Sequence, residues 1–231
     1  MSRLRISVIV PVFQEAARIG DLVRYLLLHG GEALVEVIVV DAGSTDCTAP
    51  YAIQAGARVL QSPARSRAAQ MNAGAGAASG EVLYFVHADT MPPATFTTDI
   101  SETLEAGFVM GCYRYRFDKP GILLKINAWF NRFPWLWCQG GDKTFFIRKD
   151  VFFEMAGYDE QYVIMEEYDF LRRAMPRYPL CTIPKYAVVS ARKYEKNGWL
   201  RVQLSNILVF NLFRLGVAPV KLKRLYGGLL K

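Results

Sequence analysis

The 231-residue chain has no stretch near the roughly 18 uninterrupted apolar residues that a membrane span requires. Its best candidate, 207–215, is broken by Asn211 and Arg214. Histidine is almost missing: His29 and His87 are the only two, which excludes a histidine-rich metal centre. The four cysteines (Cys47, Cys112, Cys138, Cys181) are far apart and form no C-x-x-C. That argues against a disulfide framework or a zinc site and fits reduced thiols in a cytoplasmic protein. No G-x-G-x-x-G follows the first apolar run, so an NAD-type dinucleotide site is not expected. Internal repeats and low-complexity segments are also missing. Finally, residues 196–231 contain no Asp or Glu.

That last absence accounts for the whole charge excess. The chain is formally +7, and the seven basic residues of 196–231 supply all of it, leaving 1–195 formally neutral. These residues (Lys196, Arg201, Arg214, Lys221, Lys223, Arg224, Lys231) alternate with Trp199, Leu200, Ile207, Leu208, Phe210, Phe213, Leu225 and Leu229. A basic run alone is an ordinary solvated face. With large apolar neighbours it matches an anionic membrane surface better than nucleic acid. The pattern predicts an amphipathic helix over 197–215 ahead of a basic coil; such a helix is equally open to burial against a second copy, as a homodimer. At the other end, the apolar start resembles a secretion signal, but its core is short and Pro11 and Glu15 close it. It reads as a first strand.

The first half alternates strand and helix patterns. Strands are expected over 6–13, 35–41, 58–61 and 81–86, with helices over 16–29, 48–55 and 66–78. This is the signature of βαβ units in a mostly parallel, twisted, doubly wound α/β sheet. Val8-Ile-Val and Val37-Ile-Val-Val are apolar on both faces, as internal parallel strands are. After about Val109 the pattern loosens. Residues 113–117 alternate like an antiparallel or edge strand, 123–138 holds three of the four tryptophans, and 145–148 reads as a short strand. Helices are expected over 149–156 and 166–175. Three segments follow, with soft boundaries inside one compact unit: 1–112, 113–196 and the basic 197–231.

Ligands of open α/β sheets bind beyond the carboxyl ends of strands, so the polar residues there are the candidates. The first strand ends Pro11-Val-Phe-Gln-Glu15 and the second Asp41-Ala-Gly-Ser-Thr-Asp46. Asp41 is placed to accept hydrogen bonds from a base or ribose, while Ser44 or Thr45 reads best as a helix cap. Arg65 and Arg67 open a helical stretch that runs through Asn72-Ala-Gly74, and arginine there suits phosphate; plain surface solvation is the competing reading. The fourth strand stops at His87-Ala-Asp89-Thr90. In extended geometry His87 and Asp89 share a side, where they serve either a cation and phosphate site or a helix cap. Further on, Glu166, Glu167 and Asp169 crowd an expected helix N-terminus. Helix-dipole stabilisation explains acids there, and so does a general base at a pocket mouth.

Taken in order, these segments resemble the family 2 glycosyltransferases of GT-A fold over about residues 5–195. Pro11–Glu15 is similar to P-x-[YF]-N-E, 40–46 to V-D-D-G-S-T-D, Asn72-Ala-Gly74 to A-R-N-x-G, and His87-Ala-Asp89 stands at D-x-D. Gly141-Asp142, 145–148 and 156–159 resemble an acceptor-side segment, and Glu166-Glu167-Tyr168-Asp169 resembles E-D-x-D. The resemblance implies an inverting transfer of sugar from a nucleoside diphosphate sugar to an acceptor hydroxyl. Pro11, Phe13, Glu15, Asp41, Arg67, Asn72, His87 and Arg192 would bind the nucleotide. Asp89 and His87 would hold Mg²⁺ or Mn²⁺, and Glu167 would be the base. Asp142, Glu166 and Asp169 would meet the acceptor. Ser190–Tyr194, with Arg192, resembles a basic segment of members acting on lipid phosphates, which together with the basic end implies a lipid-linked acceptor on the inner face of the plasma membrane.

Four departures bear on this. Ala42 replaces the second aspartate of D-D-G, Met71 the arginine before Asn72, His87 the first aspartate of D-x-D, and Glu167 the usual aspartate base. Two other readings stay open: a catalytically degenerate nucleotide-sugar binder, and a sugar-nucleotide nucleotidyltransferase. The latter needs a glycine-rich basic loop after the first strand, which Pro11–Glu15 does not provide.

Overall fold

In the computed structural model, which describes residues 4–140 and 143–230, the first apolar run becomes strand β1 (Ile6–Val12), buried at every position. The chain continues through α1 (Ala16–Gly30), β2 (Leu34–Asp41), α2 (Thr48–Gln54), β3 (Arg58–Gln61), α3 (Arg67–Ala77) and β4 (Val82–Phe85). Next come β5 (Thr90–Met91), α4 (Phe96–Glu105), β6 (Met110–Phe117) and α5 (Ile122–Phe130). The remainder is β7 (Phe145–Arg148), α6 (Lys149–Glu154), α7 (Glu166–Ala174), β8 (Leu180–Val189), α8 (Arg192–Asn197), α9 (Trp199–Arg214) and α10 (Pro219–Leu229).

One eight-stranded sheet runs β3-β2-β1-β4-β7-β6-β8-β5. Its first four strands are mutually parallel, β4 and β6 pair antiparallel with β7, β6 and β8 pair parallel, and β5 closes antiparallel on β8. Alternation along the parallel strands explains their two-sided apolarity. Val8, Val10, Val37 and Val39 join a core with Leu22 and Leu26 of α1 and Phe96 of α4. Ile9, Ile38 and Val40 face the opposite way, into a core with Met71 of α3, Phe152 of α6 and Phe170 of α7. At Gly74, α3 lies so close to β1 that an added Cβ would sit 2.5 Å from Ile9 Cγ2. The glycine of Asn72-Ala-Gly74 is therefore set by packing.

Three expectations change. Residues 113–117 belong to β6, whose first residues pair antiparallel with β7 but whose 113–117 part pairs only with β8, and in parallel. The missing neighbour was β8, whose pattern is interrupted by Pro184-Lys185. There the register jumps from Tyr113↔Ile183 to Arg114↔Tyr186, a bulge that accommodates the proline. The segment 87–89 is not extended: β4 stops at Phe85, and Thr90 N–H donates to His87 O (3.0 Å) across a turn. The basic coil after α9 is a second helix, α10, opened by Pro219 in its first turn. Val209, Phe213 and Leu222 of these two helices form a third core with Tyr162, Ile164, Met165 and Tyr168, so the C-terminal segment packs onto the approach to α7.

Candidate active site

At the carboxyl ends of β1 and β2 the polar residues mostly hold one another. Asp41 is buried and accepts from Ser44 N (3.2 Å to each oxygen) as well as from Ser44 Oγ. Gln14 N–H donates to Ser44 Oγ (2.9 Å), Gln14 Nε2 to Thr45 Oγ1 (2.7 Å), and Ala16 N–H to Asp46 Oδ2 (3.2 Å). Gln70, which the sequence reading passed over, donates from Nε2 to Val12 O (2.8 Å) and Val40 O (2.7 Å), clamping both strand ends. Phe13 is exposed beneath the Arg65 guanidinium, 4.6 Å from its ring centroid. Pro11, Phe13 and Asp41 thus lie along the β1–β2 margin.

Beyond β4 the arrangement opens. A cleft of about 1030 Å³ is lined by Arg67, His87, Asp89, Glu166, Glu167 and Arg192. It is also lined by Tyr115 of β6, Phe130 of α5, Trp137, Tyr168, Phe210 of α9 and Tyr226 of α10. Arg192 ties the cleft to the β1 margin: Nη2 lies 3.0 Å from Glu15 Oε1 and 4.0 Å from Asp89 Oδ2. The structure therefore brings six of the expected residues together and sets Glu15 beside them.

His87 and Glu167, 80 residues apart in sequence, are the closest functional pair: Nε2 to Oε1 is 3.1 Å, with both side chains buried. A carboxylate only accepts, so with Glu167 ionised the His87 Nε2–H is the donor. Burial disfavours the imidazolium, but the hydrogen bond and charge of Glu167 outweigh it, and the His87 pKa lies above the usual histidine value. Beside this pair, Glu166 is buried with Arg67 Nη1 4.0 Å away. Burial raises its pKa, the Arg67 charge pulls the other way, and the Glu167 charge adds to the elevation. Met165, the residue before α7, has φ 67° in the left-handed region. A side chain there is strained by roughly 1 kcal/mol, which its packing in the third core offsets.

Two expected site residues face elsewhere. Asn72 Nδ2 donates to Tyr158 O (2.8 Å) and Glu160 Oε1 (3.0 Å), and its Oδ1 accepts from Tyr158 N (3.0 Å). Both ends of the amide pin α3 to the 157–160 loop. Asp169 accepts from Arg172 and Arg173 (2.9 Å each), and Arg173 in turn donates to Gly157 O (2.8 Å). It braces α7. Asp142 lies outside the described residues.

For a divalent cation, Asp89 is the fitting donor: its carboxylate is one-third exposed to the cleft and faces Arg192 only at 4.0 Å. The pairing of His87 Nε2 with Glu167 removes that nitrogen from the ligand set. Among the described residues no group of three or more His, Cys, Asp or Glu converges on one point. A cation here fits as one held by a single carboxylate plus ligand phosphates, a common arrangement for Mg²⁺.

The model of the glycosyl transferase family 2 matches residues 7–158. Among curated proteins, glucosyl-3-phosphoglycerate synthase of Mycolicibacterium smegmatis is 31% identical over 96 residues, covering 38% of this chain and 32% of that protein. The match thus spans about a third of that relative's length. Among solved structures, glucosyl-3-phosphoglycerate synthase of Mycobacterium tuberculosis with Mn²⁺, UDP-Glc and phosphoglyceric acid superposes with TM-score 0.65 at 20% identity, over 93% of this chain and 80% of that one. A mannosyltransferase of Pyrobaculum calidifontis with GDP-Man and Mn²⁺ gives TM-score 0.70 at 18% identity, over 98% and 69%. At such identities the structural likeness speaks for the fold alone.

Proposed function

The chain belongs to glycosyl transferase family 2, and from that membership we propose that it moves a sugar from a nucleoside diphosphate sugar to a hydroxyl of a lipid-linked acceptor, inverting the anomeric carbon. The observation that carries this reading is the convergence of Glu167 and Asp89 on one cleft, with Arg67 and Arg192 beside them. Pro11, Phe13, Glu15 and Asp41 form the margin along which the nucleoside lies. Arg67 and Arg192 face the diphosphate.

In this reading Glu167 takes the acceptor proton while the acceptor oxygen attacks the anomeric carbon. The bond from that carbon to the diphosphate breaks, and the diphosphate leaves with the electron pair. A positioned base of this kind contributes about 10² to 10⁴ in rate. His87 holds one Glu167 oxygen in place, which gives the imidazole at the D-x-D position a positioning task. Glu166, shielded by burial and Arg67, shapes the same corner. A Mg²⁺ or Mn²⁺ held by Asp89 and the phosphates would supply Lewis-acid stabilisation of the departing charge.

The lipid-linked acceptor is supported by the cleft's mixed lining. Arg192, Lys193, Lys196 and Arg214 suit a phosphate, and Phe130, Trp137, Trp199 and Phe210 suit a hydrocarbon chain. Four free cysteines favour the cytoplasmic side, so the enzyme works peripherally at the inner face of the plasma membrane. The test is nucleoside diphosphate release from UDP-, GDP-, CDP- and dTDP-sugars with Mn²⁺, with and without a polyprenyl phosphate, followed by NMR of the new anomeric centre. One donor turning over faster with the lipid, to an inverted product, is expected. No release from any donor overturns the transferase reading, indifference to the lipid overturns the acceptor, and a retained anomer overturns the single displacement.

A further inference from the structure

Helix α5 buries none of its nine residues, although it reads Ile-Leu-Leu-Lys-Ile-Asn-Ala-Trp-Phe. Ile122 is 75% exposed and Ile126 47%. After it, Trp129, Phe133, Trp135 and Trp137 form a continuous ring contact: Phe133 and Trp135 stack at 4.6 Å, Trp135 and Trp137 at 5.6 Å, and Trp129 meets Phe133 edge-on at 5.0 Å. Trp135 stays 50% exposed. This shelf is fixed from below. The buried Lys143 donates from Nζ to Asn131 O and Gln139 Oε1 (2.7 Å each), Gln139 Nε2 donates to Phe133 O (2.6 Å), and Asn131 Nδ2 to Tyr115 O (2.9 Å). A lysine removed from water to brace a loop of exposed tryptophans implies that the loop's shape matters.

On α9, Leu200, Leu204, Ile207 and Leu208 are exposed at positions that share one helix face. Ile126 and Phe130 of α5, Trp137 and Ile207 of α9 also line the cleft, so both apolar surfaces reach it. The charge around them has one sign. Residues 119–141 contain Lys119, Lys125 and Arg132 and no acid, and 196–231 contains seven basic residues and no acid. Among the described residues no helix is long and apolar enough to cross a membrane. Short exposed apolar helices, tryptophans and a cationic rim are the features that seat a protein within the headgroup layer.

We propose that α5, the aromatic shelf and the exposed stripe of α9 bed together into the interface of an anionic bilayer, so that the cleft opens directly onto lipid. This deepens the lipid-acceptor reading and rests on it for its purpose, though not for its test. Apolar burial holds the surface in the headgroup layer, and each basic residue near an anionic surface adds attraction worth about fivefold in binding.

The experiment is co-sedimentation of the full chain with phosphatidylcholine vesicles and with phosphatidylcholine–phosphatidylglycerol vesicles, for wild type and Ile122→Glu/Leu200→Glu. Neither residue lines the cleft, and both are exposed, so the fold tolerates the changes. Wild type binds the anionic vesicles, prefers them to neutral ones, and loses the preference at high salt. The double variant binds them roughly tenfold or more weakly, with unchanged melting temperature and unchanged donor hydrolysis in free solution. Equal pelleting of both proteins, or no wild-type preference for anionic lipid, overturns the proposal. So does a wild-type dimer in sedimentation velocity that the double variant dissociates, since the surface then belongs to a second copy. Vesicle binding without turnover of any donor would fail the transferase reading and leave this surface standing.

Discussion

Near the carboxyl ends of β1 and β2 the buried Asp41 and Gln70, and further along α3 the half-buried Asn72, direct their side chains at neighbouring backbone and at Ser44 and Glu160; at the start of α7, Glu166 and Glu167 are buried but line the cleft. Both regions carry segments that resemble the family pattern in sequence. The difference is in what remains for a ligand. At the β1–β2 margin the buried polar side chains are committed to scaffold, which leaves the exposed Phe13 and the backbone to meet a nucleoside, whereas the α7 corner holds two adjacent buried carboxylates, a left-handed Met165 and a histidine lent by the β4 turn. A motif residue that builds a loop and one that does chemistry look the same until their hydrogen bonds are assigned.

The largest expected effect sharpens that contrast. Glu167→Gln keeps the shape of the α7 corner and removes the base, so transfer falls about 10² to 10⁴-fold while the melting temperature and donor affinity stay near wild type. Steady-state kinetics with calorimetric donor binding measures both. A fall under tenfold would move the base role to another group and erase the distinction between the two regions.

At the scaffold end the expected losses are in stability. Asn72→Ala leaves Tyr158 N–H without its acceptor and should cost about 1–3 kcal/mol in urea unfolding. Gly74→Ala drives a methyl into Ile9 and should cost about 1–3 kcal/mol through overpacking. In both variants the Michaelis constant for donor, measured well below the melting transition, should hold. A large rise for Asn72→Ala with normal stability would return that residue to the nucleotide site and break the comparison.

The parallel half was legible because two-sided apolar runs, helix lengths and strand-end polar clusters all point the same way. β1 to β4 and the helices between them fall within a residue or two of expectation. Beyond β4 the local signals fail for identifiable reasons. β8 carries Pro184-Lys185 at a bulge, β5 is only two residues long, and both find their places through distant partners. The family order singled out His87 and Glu167, yet nothing in the sequence pairs them, because their contact spans 80 residues and depends on a turn where an extended strand end was expected. The local hydrogen bonds of Asn72 and Asp169 were illegible for the same reason: an amide or carboxylate can serve backbone or ligand, and only packing decides which.

The smallest effect expected is a pH dependence in the α7 corner. Burial raises the Glu166 pKa, with Glu167 adding to the elevation and Arg67 only partly offsetting it. The folded protein therefore holds a proton on Glu166 over a pH range where the unfolded chain has released it. Stability contributed by the neutral carboxyl is full below the ordinary glutamate pKa and declines as pH rises through the raised folded value. Glu166→Gln replaces the neutral acid with a permanently neutral amide, so the variant should gain on wild type as pH climbs out of the carboxylate range. Urea midpoints of the two proteins at a series of pH values measure this. A gap that stays constant with pH would mean that Arg67 compensates the charge fully, and the corner would then be as well satisfied as the β1–β2 margin.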